Sequence, residues 1–96
     1  MSDTEKNNKV RPLSVFLRES RMRAGLSQAQ VARRLKYGTA QFISNWERGV
    51  SEPPLKAIKI LAKIYNIPAE EIFEVVLRTT LEKVKEDLTA KFRDAK

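Results

Sequence analysis

The chain has 96 residues, 42 % hydrophobic and 32 % charged, a balance that supports one packed core and carries too much charge for a membrane span. Cysteine and histidine are both absent, which excludes disulfides, thiolate or imidazole metal sites, cysteine nucleophiles and histidine-based triads. The formal net charge is +7: residues 1–50 hold 10 Lys and Arg against 4 Asp and Glu, and residues 51–96 hold 9 against 8. The positive field therefore belongs to the first half, where it suits a polyanion; the plainer reading is a charge excess that serves solubility alone.

Residues 1–11 include Asp3, Glu5, Asn7 and Asn8 among few apolar groups, too little burial to offset the entropy of ordering, and are expected to form a mobile arm. Their polar start has no apolar signal stretch and points to the cytoplasm. After Pro12, the residues Leu13, Phe16, Leu17 and Ala24 recur at helical spacing before Gly25, which predicts helix 1. Ser27 with Gln30 three residues later reads as a capping box opening a short helix 2 to about Leu35, with Val31, Ala32 and Leu35 as its apolar face.

Gly38 is expected to break the chain through a positive φ, and Thr39 to cap helix 3, AQFISNWER, which stops at Gly49. Beyond the loop VSEPP, helix 4 carries Leu55, Ile58, Leu61, Ala62 and Tyr65 on one stripe and Lys56, Lys59 and Lys63 on the other. From Ala69 no breaker follows, so helix 5 either runs long or divides near Thr79 and Thr80. Strand-like alternation is absent, and the fold class is compact all-α with five helices.

The segments SQAQVARRL, TAQFISNWERG and PPLKAIKILAKIYNIP resemble the helix-turn-helix of the lambda-type repressor and Cro family over roughly residues 13–73. The match needs Gln28, Ala32, Ile43, Trp46, the Glu47-Arg48-Gly49 ending and the Leu61-Ala62 pair together. Residues 12–76 would then form the DNA-binding domain. Ala32 is small where helix 2 crosses helix 3, and Ile43 and Trp46 turn inward, which leaves Gln41, Ser44, Asn45 and Arg48 as an outward polar stripe suited to a major groove.

The resemblance implies double-stranded DNA as partner. It implies that Ala40, Gln41, Ser44 and Asn45 read bases and that Gln28, Thr39 and Arg48 contact phosphates. Ala40 departs from the polar residue often found there and offers only a methyl group. The turn departs as well, because Lys36 and Tyr37 intervene before Gly38 where the family usually has glycine directly after the leucine. Tyr37 is expected to pack rather than to touch a phosphate. Arg21 and Glu47 match a charge pair common in the family and are expected to bridge helix 1 to the end of helix 3.

Residues 77–96 extend beyond this match. There Leu77, Leu81, Val84 and Leu88 alternate by four and three, a two-heptad seam that predicts pairing with a second copy; the alternative is that the helix folds back over helix 1 or helix 4. The function expected is that of a transcription regulator, a repressor or an activator, that recognises an operator through helix 3 and acts by occupying the site or by recruiting another protein. The reading kept beside it is an antitoxin or other interaction module whose C-terminal helix holds a partner protein. Catalysis, metals and cofactors are not expected, since carboxylates, lysines and tyrosines show no paired arrangement.

Overall fold

A computed structural model describes residues 12–95; the expected mobile arm lies outside the described residues. Five helices follow one another: α1 (Leu13–Arg23), α2 (Gln28–Arg34), α3 (Gln41–Glu47), α4 (Leu55–Ile64) and α5 (Ala69–Asp94). The all-α expectation holds. Each helix places one aliphatic side chain at the centre: Leu17, Val31, Ile43, Leu61 and Ile72 are all below 2 % exposed. Around them pack Leu13, Ala32, Trp46, Ala57, Ile58, Ala62 and Tyr65. In pairs, α1 lies on α3 and α5, α2 on α3, and α4 on α5.

Leu55, expected in the core stripe of helix 4, is 61 % exposed. It is the first residue of α4 and follows Pro53 and Pro54, so its side chain emerges before the helix reaches the core. Ala24 is likewise exposed, as the residue that closes α1.

Helices α1 to α4 end in the same way. The amide of the residue after the C-cap bonds the carbonyl three residues back, and the next amide bonds the carbonyl five back, which satisfies two otherwise orphaned carbonyls. This requires a left-handed residue at Gly25, Lys36, Gly49 and Asn66. The correction falls on the second: positive φ belongs to Lys36 (63°) and not to Gly38. The glycine that the family usually places there is replaced by a lysine that adopts the glycine's conformation, so the altered turn keeps the usual helix ending.

That conformation strains an L-residue, so Lys36→Gly is expected to stabilise the fold by about 0.5 to 1 kcal/mol after allowing for glycine's greater unfolded entropy. Gly38→Ala should stabilise as well, by about 0.4 to 1 kcal/mol, because its φ is not left-handed, an added Cβ there meets nothing within 4 Å, and the unfolded chain loses freedom. Urea unfolding of both variants measures the gains. A loss at either position would contradict the assignment of the left-handed conformation to Lys36.

Helix α5 is continuous over 26 residues, about 39 Å, with no division at Thr79 or Thr80. Ile72 is buried, Val75 and Val76 are half-buried against the core, and the Thr79 hydroxyl accepts a hydrogen bond from the Leu13 amide at 3.1 Å. Pro12 gives α1 no side-chain cap, so a threonine 66 residues away supplies one. From residue 80 to residue 95 every side chain is exposed.

Candidate nucleic-acid interface

Helix α2 opens with the expected capping box: Ser27 Oγ accepts from the Gln30 amide at 3.1 Å, and Gln30 Oε1 accepts from the Ser27 amide at 2.8 Å. At the start of α3, Ala40 has no side-chain acceptor, and the Thr39 hydroxyl accepts from the Gln41 amide at 3.2 Å. Thr39 thus caps α3 from one residue outside. Tyr37 packs, as expected, with its ring centroid 5.1 Å from Phe42 and 5.8 Å from Trp46 in an edge-on arrangement.

Trp46 and Ile43 are buried, which fixes the roll of α3 about its axis. Four polar residues are therefore held on one outward face. Gln41 Nε2 donates to Asn45 Oδ1 at 2.9 Å, Arg48 Nη2 donates to the same oxygen at 2.8 Å, and Arg48 Nε donates to Ser44 Oγ at 3.2 Å. Gln41, Ser44, Asn45 and Arg48 are brought together as a bonded array, not as a loose polar stripe. Ala40 stands half-buried beside Gln41 and packs on the core, with only its methyl group to offer.

Gln28 has a different surrounding from the one expected. Its side-chain amide donates to Glu47 Oε1 at 3.0 Å, and Glu47 is the acceptor of Arg21 as well. The Arg21 guanidinium meets Glu47 twice, Nε to Oε2 at 2.7 Å and Nη2 to Oε1 at 3.0 Å, and its third nitrogen bonds the Leu26 carbonyl at 2.9 Å. The expected ion pair is present, with the Glu47 side chain 3 % exposed and that of Arg21 14 %. The hydrogen bond to Glu47 raises the guanidinium pKa above its usual value and outweighs the desolvation that opposes it. Burial also pushes the Tyr65 phenol up, with the nearby Glu47 charge adding to the effect.

Arg33, Arg34 and Lys36 are exposed near the C-terminal end of α2 and add positive field. Leu77, Leu81, Val84 and Leu88 stand 40 %, 58 %, 47 % and 61 % exposed, on the side of α5 away from Ile72, Val76 and Thr79. Sequence reasoning missed the role of Glu47 toward Gln28 and that of Thr79 toward Leu13. The bonds within α3 had a signal, since Gln41 with Asn45 and Ser44 with Arg48 are four apart and Asn45 with Arg48 three apart.

Among the described residues no helix is long and apolar enough to cross a membrane, and no group of three or more His, Cys, Asp or Glu could hold a metal ion. A tightly turned helix pair, a buried tryptophan behind the second helix and an outward polar array define a helix-turn-helix protein. Residues 12–74 match the helix-turn-helix domain family, and the chain belongs to it, consistent with the lambda-repressor and Cro type. Comparison with curated proteins and with solved structures finds no match. The family membership makes the chain a DNA-binding protein of the regulator class.

Proposed function

We propose that this protein is a sequence-specific regulator of transcription that lays α3 into the major groove of double-stranded DNA. The observation that carries this reading is the bonded array of Gln41, Ser44, Asn45 and Arg48 on a helix whose other face is pinned by Trp46 and Ile43. A groove-reading surface needs side chains held in place before contact, since ordering them on binding costs affinity. Thr39 beside the array and Arg48 within it are the phosphate contacts; Arg48 keeps guanidinium N–H groups beyond the two it uses. Gln28, braced by Glu47, is the phosphate contact at the start of α2.

The outer seam of α5 pairs with a second copy, giving a twofold dimer that reads two half-sites. In support, a lone helical overhang of residues 80–94 would be marginal in water without a partner for its apolar stripe. Phe73 lies one turn before Leu77, and with Leu55 and Ile58 it lines an apolar groove of about 290 Å³.

Asn45→Ala and Gln41→Ala should each lose about 1 to 3 kcal/mol on the preferred duplex and almost nothing on random DNA. Arg48→Ala should weaken both DNAs and reduce the slope of log affinity against log salt by about one. Salt titrations of binding anisotropy on both duplexes report these values. A uniform loss for Asn45→Ala and Gln41→Ala would remove α3 from the role of reader.

A further inference from the structure

The hydrogen bonds within α3 constrain which base each side chain can accept, an argument that rests on α3 being the reading helix. Arginine has donors and no acceptor, so the Asn45 atom facing Arg48 Nη2 at 2.8 Å is the oxygen and not the amine. Gln41 Nε2 reaches the same oxygen at 2.9 Å. Both lone pairs of Asn45 Oδ1 are then occupied, and what Asn45 has left to offer is an amine with two donors. Gln41 has given up one N–H and retains its own carbonyl oxygen with one N–H beside it.

Those two outward faces differ in chemistry. An adenine offers one acceptor and one donor in the major groove, whereas guanine offers two acceptors, N7 and O6. We infer that Asn45 is a donor-only reader matched to guanine, that Gln41 is the adenine-matching residue, and that Arg48 sets this difference by holding the Asn45 oxygen. Freeing one lone pair of that oxygen for an adenine amine would displace the Arg48 or the Gln41 donor and leave it without its partner. Arg48 acts here as a positioning residue through Asn45, whatever phosphate contact it also makes.

The test is selection of duplexes from random DNA with the full chain and with three variants, followed by affinity measurement on the selected site. Guanine is expected at the position that becomes degenerate in Asn45→Ala, and adenine at the one that becomes degenerate in Gln41→Ala. Replacing that guanine by 7-deazaguanine, which lacks the N7 acceptor, should weaken binding by about tenfold. In Arg48→Ala the preference for guanine over adenine at the Asn45 position should fall from about tenfold to near unity, a change that loss of a phosphate contact alone would not produce. Adenine, cytosine or thymine at the Asn45-dependent position overturns the donor-only assignment and leaves α3 as the reader. A selected site with no position sensitive to Asn45 or Gln41 overturns both.

Discussion

Replacing Glu47 by alanine is expected to destabilise the fold by about 3 to 5 kcal/mol, with a fall in Tm of at least about 12 °C. The carboxylate is 3 % exposed and accepts from three donors, two on Arg21 and one on Gln28. Its removal leaves the half-buried Arg21 guanidinium with the Leu26 carbonyl as its remaining partner among the described residues. Breaking one side of such a pair is costly, while replacing both sides with apolar groups is often neutral. Arg21→Met combined with Glu47→Leu should therefore recover much of the loss, and a double-mutant cycle by thermal unfolding isolates the coupling. A cost below about 1 kcal/mol for Glu47→Ala would place the pair with weak surface bridges.

The second large effect concerns α5. The full chain should sediment as a dimer, and Leu81→Glu with Val84→Glu should make it monomeric while leaving its unfolding midpoint at low concentration nearly unchanged. Both side chains are exposed in the single chain, so the substitution removes nothing from its core. A chain ending at Thr80 should behave alike, because it keeps the Thr79 hydroxyl that caps α1. Affinity for a palindromic duplex should fall by about 10²-fold or more in either variant, since two linked half-sites lose their shared effective concentration. A full-length monomer, or a double variant that still dimerises, would assign the seam to another protein or to no interface.

Much of the fold was legible because short-range rules decided it. The capping box at Ser27 and Gln30, the inward pair Ile43 and Trp46, and the stripe through Ile58, Leu61 and Ala62 all follow from spacings of three or four residues. The Arg21–Glu47 bridge spans 26 residues and was legible only through family resemblance. The turn after α2 misled: glycine is the usual left-handed residue, so Gly38 drew the expectation that Lys36 fulfils. Leu55 misled for a different reason, since periodicity gives the face of a helix but not where the core begins along it. The Thr79 cap had no local signal, because its partner is fixed by how α1 and α5 pack.

The uninterrupted course of α5 has a consequence for phasing. Residues 69–79 grip the core and residues 80–94 leave it on the same rod, with no hinge between them. Two copies clasped along the far half would hold their reading helices at a set separation and rotation, like the teeth of a gauge. Such an assembly would resist a change of half a helical turn in operator spacing far more strongly than one joined through a pliable tether, and it would discriminate among operators by geometry as well as by base.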